Sequence, residues 1–469
     1  MKIKPINVVI GLIIYFVVED FALKFLPVPN MLYTLLRFGG ELFLYFFTIM
    51  MVISRSKRGL GIRMTPLDRY FAAFALAIII SGVINLSPIF YTVLKFRILF
   101  RYVAGFYLIM QLDPNEEDVR KILRTLITIG VVQVVIGMWQ HFVEVRVSDF
   151  WMPREVDLVV GGVAKNFRSL EGLDAGTIIG TMVMPGQLAT FFMLVSTLLV
   201  TYMFYRNGRN TLGFFKKPLY FWICLGLLLL GTFISYSRAS ILMVALAFPV
   251  ATLFSGNLNR LLQLGILGLS VVVLVGIVVA PVIKIAELTN IAPAAEKSEI
   301  ENTPLDELVH GFSLEYLQGE ASNNRLWVMQ HVGGTIFKEF RVFGYGTEET
   351  YVRYALYVRG VPDRILTYKP FKDVYWFNML AHFGVFGVVA FALILIRIYR
   401  MARWLYREEP PGMYKFLALF MRVFIIIFAL KTFFLSTLEY RPIGYMLWTL
   451  VGLLTVRYMQ VKKMKEAEG

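Results

Sequence analysis

Apolar residues run along this chain in long blocks separated by short polar turns, and one polar stretch is far longer than the rest. A helix needs about 20 apolar residues to cross a bilayer. Twelve blocks approach that length: residues 5–26, 31–53, 67–86, 91–112, 119–142, 184–205, 219–235, 240–254, 261–283, 374–396, 416–436 and 438–456. The long polar stretch, residues 284–372, separates the ninth block from the tenth. A smaller irregular segment, residues 143–183, is rich in glycine and charge and links the fifth block to the sixth. The pattern predicts an all-α integral membrane protein with about 12 transmembrane helices. Residues 1–283 hold helices one to nine, residues 284–372 form one large, partly helical external loop domain, and residues 373–469 hold helices ten to twelve and a basic tail. Within the large loop, residues 304–317 and 324–340 are amphipathic. In the latter, Leu326, Met329, Val332, Ile336, Phe337 and Phe340 recur at helical spacing. Gly344-Tyr345-Gly346 ends that pattern as a turn, and residues 350–359 form a further short helix. No small-residue cleavage site follows the first block, so residues 1–26 are expected to be a retained span.

Composition supports the membrane reading: 58% of the 469 residues are hydrophobic. The net charge of +15 would suggest nucleic acid in a soluble protein, but here it falls into discrete turns. Lys2 and Lys4 precede span one. Arg55, Lys57, Arg58, Arg63 and Arg69 follow span two, and Arg206, Arg209, Lys216 and Lys217 follow span six. Arg397, Arg400, Arg403, Arg407 and Lys415 follow span ten, and Arg457, Lys462, Lys463 and Lys465 follow span twelve. Twelve spans put all of these on one side, which the positive-inside bias makes cytoplasmic. Both termini are then cytoplasmic and the large loop external. That loop carries 10 Lys/Arg against 12 Asp/Glu, so it is no cytoplasmic anchor. The single cysteine, Cys224, lies inside a span and reads as a packing residue; it can form neither an internal disulfide nor a metal cluster. The chain has no GxxxxGK[ST] loop and no HExxH, so neither nucleotide-driven nor zinc chemistry is legible and no cofactor is expected.

Candidate chemistry rests on arginines expected at the external face. Ser237-Arg238-Ala239 follows span seven there, against the charge bias. A guanidinium fork matches phosphate oxygens bidentately, although an arginine at that depth can also be a snorkelling interface residue. Arg325 opens an amphipathic helix, where a solvated helix face is the plainer reading. Arg97 and Arg101 share one face of span four, with Lys95 close by. Arg101 would sit roughly 15 Å below the surface. A charge at that depth costs at least ~2.5 kcal/mol unless it is paired or wet. A polar cavity and a structural ion pair, for example with Glu41, are both open. His141, His310, His331 and His382 read as packed or solvated. Asp373 opens span ten, either as an N-cap or as a site residue. Nine residues separate it from His382, about half a turn out of phase, so on a regular helix only one of the two can line a cavity.

Four features occur in order: Arg168 followed by Pro185-Gly186-Gln187-Leu188-Ala189; Ser237-Arg238-Ala239 at a span end; Arg325-Leu326-Trp327 leading to Gly344-Tyr345-Gly346; and Tyr375-Trp376-Phe377 continued by Gly384-Val385-Phe386-Gly387. In this order, with a large loop before the last three spans, the chain resembles the O-antigen ligase and O-antigen polymerase superfamily of bacterial envelope glycosyltransferases. The resemblance covers roughly residues 168–387. It implies action on sugars carried by undecaprenyl diphosphate at the outer face of the bacterial inner membrane, with membrane lipids around the protein and a flippase or chain-length regulator of the same pathway as further partners. It gives Arg238 and Arg325 the role of holding the diphosphate, with Arg168, Arg97 and Arg101 as further candidates. In the ligases this span opens with His-Asn, eleven residues before the first Gly. Here that position is Asp373, followed by Val374. The missing His favours a polymerase of O-antigen, capsule or exopolysaccharide repeat units over a ligase. Asp373 is then the candidate base, at a lipid and sugar entrance rimmed by Trp376 and Phe377. A polysaccharide transporter or flippase is the alternative of another class, disfavoured because the halves show no duplication.

Overall fold

The computed structural model describes residues 4–143, 178–256, 329–362, 366 and 374–468 with short gaps, and residues 150–151, 157–160 and 163–166. Each apolar block within these stretches is helical. The elements are α1 (Pro5–Leu23), α2 (Asn30–Lys57), α3 (Asp68–Ile84), α4 (Ile89–Phe100), α5 (Val103–Leu112), α6 (Glu116–Phe142), α7 (Pro185–Phe204), α8 (Pro218–Ile234) and α9 (Arg238–Ser255). Within the large loop come a short π-helical turn (Met329–Gly333), α10 (Gly334–Glu339) and α11 (Glu349–Tyr357). The chain closes with α12 (Tyr375–Glu408), α13 (Met413–Lys431), a 3-10 turn (Thr437–Glu439) and α14 (Arg441–Glu468). A small antiparallel hairpin, β1 (Asp157–Val160) and β2 (Val163–Asn166), pairs Asp157 with Asn166. The expected ninth span, residues 261–283, lies outside the described residues.

Seven helices among the described residues are long and apolar enough to cross a membrane: α1, most of α2, α6, α7, α9, α12 and α13. The helix starts follow local chemistry. Proline stands at the first helical position of α1, α7 and α8, where its missing N–H is not needed. Asn115 and Asp118 form a reciprocal capping box on α6. In α7 nearly every residue from Leu188 onward is buried, while α2 leaves Leu35, Leu42, Phe46, Ile49 and Ile53 exposed, as a lipid-facing helix does.

Two blocks read as single spans are not single straight helices. Block four is broken at Arg101-Tyr102 into α4 and α5. Here Arg101 sits in the joint, its guanidinium bonded to Glu41 and to the Glu439 carbonyl. Block ten breaks at Gly384, whose φ of 67° is open to glycine but strained for other residues. The rings of Tyr375 and Trp376 lie 5.8 and 5.4 Å from that of Phe391. A straight helix would hold these residues more than about 20 Å apart, so α12 folds back at Gly384. Its first arm, residues 375–383, crosses the bundle from the end of α13, where Tyr375 N–H donates to Thr432 at 3.1 Å, to the end of α3, where Ser81 Oγ donates to the His382 carbonyl at 2.5 Å.

Hydrogen bonds gather the polar groups at two opposite ends of the bundle. At the basic end Arg63 forks onto Asp113, Gln460 joins the same carboxylate, Arg457 binds Glu409, and Tyr205 bonds Gly412. At the loop end lie Glu19, Glu41, Arg97, Arg101, Lys431, Glu439 and Arg441.

Candidate active site at the loop end

The first part of the site is the Ser237-Arg238-Ala239 turn. Ser237 caps α9 by accepting from Ser240 N–H at 3.4 Å, which makes Arg238 the first residue of that helix. A buried ammonium is tied to the same turn: Lys431 Nζ donates to Ser240 Oγ at 2.7 Å and to Ser237 Oγ at 3.4 Å. Lys431 is only 1% exposed. It belongs to none of the sequence motifs, yet a lone lysine inside an apolar block is itself a signal, because an ionisable group in a span is costly unless it is used.

The second part is α4. Both of its arginines converge on Glu41 of α2: Arg97 Nη2 to Oε2 at 2.5 Å and Arg101 Nη1 to Oε1 at 3.2 Å. The ion pair weighed for Arg101 is therefore present, and it includes Arg97. Two guanidiniums share one carboxylate that is 2% exposed, so positive charge is left over. Arg101 Nε is buried without a hydrogen-bond partner among the described residues. Alongside, Arg441 pairs with buried Glu19 at 2.9 Å and Arg37 with Asp20 at 2.8 Å.

The third part joins two motifs that are distant in sequence. Residues 341–346 lie along the break in α12. Tyr345 N–H donates to the Ala381 carbonyl at 2.8 Å, Gly346 N–H to that of His382 at 3.3 Å, and Val385 and Phe386 N–H to those of Arg341 and Val342 at 3.2 and 3.0 Å. These bonds occupy the backbone groups that the break releases, as non-helical backbone at membrane depth requires. The contact leaves no room for side chains: a Cβ on Gly344 would stand 2.6 Å from Gly384 N and the His382 carbonyl. The loop also reaches the α3–α4 corner through Thr347, whose N–H donates to Ser87 Oγ at 3.0 Å and whose hydroxyl lies 2.9 Å from that of Thr92. Further out, Glu339 accepts from Arg359, Arg341 and Tyr345. Burial works to raise the Glu339 carboxyl, but those hydrogen bonds and charges outweigh it and hold the group below its usual range.

His382 is fully buried within this third part. Because α12 begins only at Tyr375, with Val374 as its cap, the helical phase expected between Asp373 and His382 does not apply. Trp376 is half-buried: its indole N–H donates to the Ala429 carbonyl at 3.0 Å and its ring stacks on Phe433. Phe377 packs against Gly333. Asp373, Arg325, Arg168 and His310 lie outside the described residues. His331 sits in the π-helical turn, and the His141 ring leans against Tyr236. Among the described residues no three of His, Cys, Asp and Glu converge as a metal site would need.

No curated protein matches the chain. One family does: its model, described as O-antigen ligase, matches residues 223–392, a segment that holds the Ser-Arg-Ala turn, the large loop, the Gly-Tyr-Gly turn and the broken helix. The segment that holds these motifs is thus similar to the O-antigen ligase family, and it lies in a mostly helical fold with helices long and apolar enough to cross a membrane.

Proposed function

We propose that this protein polymerises undecaprenyl-diphosphate-linked oligosaccharide repeat units at the outer face of the bacterial inner membrane, with both termini cytoplasmic and the loop end outside. The observation that carries this reading is the gathering of buried and half-buried cations at one end of the bundle, around the matched segment. There Lys431 is fixed to the Ser-Arg-Ala turn, and Arg97 and Arg101 share a single carboxylate. Cations withdrawn from water carry a desolvation cost, and an anion that enters among them would offset it. A lipid diphosphate supplies that anion.

In the reaction an acceptor sugar hydroxyl gives its proton to a base and attacks the anomeric carbon of the donor. The bond from that carbon to the diphosphate oxygen breaks, and undecaprenyl diphosphate leaves with the electron pair. Arg238, Arg325 and Arg168 would stabilise the charge that develops on the leaving group, with the α4 arginines contributing through their leftover charge. Asp373 would accept the proton. Trp376 and Phe377 would flank the entrance for the donor.

The family model's own description favours a second reading, in which finished glycan is transferred to a lipid or protein acceptor. Surface glycan from a deletion strain separates the two. Loss of long chains with single repeats retained supports polymerisation; long chains accumulating on the carrier lipid support ligation. A transporter would leave glycan trapped on the cytoplasmic side.

A further inference from the structure

Lys95 lies on α4 between the arginines' neighbourhood and the matched segment. It lies two positions before Arg97, which puts the two side chains roughly 160° apart around the helix. Arg97 therefore looks towards Glu41 of α2, and Lys95 looks towards the broken helix α12. There its ammonium meets His382, with Nζ 3.4 Å from Nε2. On its other side the imidazole Nδ1 lies 2.9 Å from the Gly346 carbonyl.

The two ring contacts are compatible with one tautomer. A carbonyl oxygen can only accept, so Nδ1 carries the hydrogen and donates it. Nε2 faces an ammonium, which can only donate, so Nε2 presents its lone pair. His382 is thus wedged between the Gly-Tyr-Gly turn and Lys95. The ring is fully buried, and its backbone carbonyl is held by Ser81 and Gly346, so it has little freedom to swing. Lys95 itself is half-buried.

We propose that Lys95 is a phosphate-binding cation of the donor site, and that His382 is the positioning residue that aims it. This rests on the reading of a lipid-diphosphate donor. It adds a cation that faces the matched segment directly, whereas Arg97 and Arg101 act from the side turned to α2. An imidazole is well matched to this role, since a ring nitrogen can hold the ammonium by its lone pair and the ring carries no negative charge that would compete with a phosphate.

The test uses the full-length protein in lipid nanodiscs and measures binding of undecaprenyl diphosphate, which requires no turnover. Two amide replacements separate the two ends of the ring. His382→Gln places an amide oxygen near Nε2 and keeps the Lys95 contact; His382→Asn places its amide near Nδ1 and keeps only the Gly346 contact. The expected pattern is that Lys95→Met and His382→Asn each weaken binding about tenfold, as loss of one charge-assisted contact would. Lys95→Arg and His382→Gln should stay within about threefold of the parent. Melting temperature, followed in the same samples, should not track that order. Two results overturn the proposal: parental affinity in Lys95→Met, or His382→Asn binding well while His382→Gln does not, which would make His382 only a clamp on the turn. If the unaltered protein fails to bind undecaprenyl diphosphate, the donor reading itself falls and this inference falls with it; if it binds and the Lys95 variants bind equally, only the inference falls.

Discussion

The two ends of the bundle are both rich in arginine and lysine, but they handle the charge differently. At the basic end Arg400, Arg403 and Arg407 are exposed, and the pairs that do form include surface pairs such as Lys462–Glu466 and Lys465–Glu408. Exposed pairs contribute little to stability. At the loop end Lys431 is 1% exposed, the side chains of Glu41, Glu19 and Arg101 are 2, 1 and 10% exposed and that of Arg97 32%; the charges buried towards the basic end, Glu409 and Arg422, are met by Arg457 and by aromatic rings. Exposed cations suit an orientation signal, which needs only their number and side. Buried cations carry a desolvation cost, so their persistence points to a ligand or a structural lock. Charge count alone does not separate these roles; burial taken together with pairing does.

The comparison can be broken most severely at the two arginines proposed to hold the diphosphate. Arg238→Ala and Arg325→Ala are expected to abolish polymer while the protein still inserts, and Lys should rescue poorly because a point charge does not reproduce a fork. Normal surface glycan from either Ala variant removes that residue from the site. Asp373→Asn comes next. Asn is close to Asp in size and polarity but accepts no proton, so activity should fall at least ~100-fold at unchanged expression. Chains of normal length would make Asp373 structural and send the search for a base to Glu439 or His331.

A smaller effect is expected from Glu41→Gln. It leaves Arg97 and Arg101 without their shared carboxylate, and loss of one partner of a buried ion pair destabilises by about 3 kcal/mol. A lowered melting temperature of the purified protein would show this. An unchanged one would mean that solvent already screens the cluster. The smallest effect belongs to the basic end, where Arg400→Gln and Arg403→Gln together should leave glycan length within about twofold, since exposed charges away from a site rarely matter by more than ~0.5 kcal/mol. A large loss there would erase the distinction between the ends.

Much of the helical framework was legible because a span is a local property: about 20 apolar residues announce themselves. The cation excess on one side of the turns was legible for the same reason. Glu41 could be weighed as a partner for Arg101 because a buried arginine demands one and few carboxylates lie in the spans. The fold-back at Gly384 was not legible. Glycines are common in membrane helices, and this one differs only because residues 341–346, some forty positions earlier, lie against the break. The link between His382 and Lys95 was hidden likewise, since it depends on that fold-back and on α4 lying beside it. Lys431 was legible in principle but was lost in an apolar block that reads as an ordinary span.

The claim that the two ends belong to opposite sides of the membrane is open to one direct measurement. With Cys224→Ala as the background, single cysteines at the exposed positions Gln330 and Arg403 report the loop end and the basic end. In intact spheroplasts a membrane-impermeant maleimide should label Gln330→Cys at once and Arg403→Cys only after permeabilisation. Labelling of Arg403→Cys in intact spheroplasts, with Gln330→Cys protected, would invert the molecule and remove the outer-face donor site.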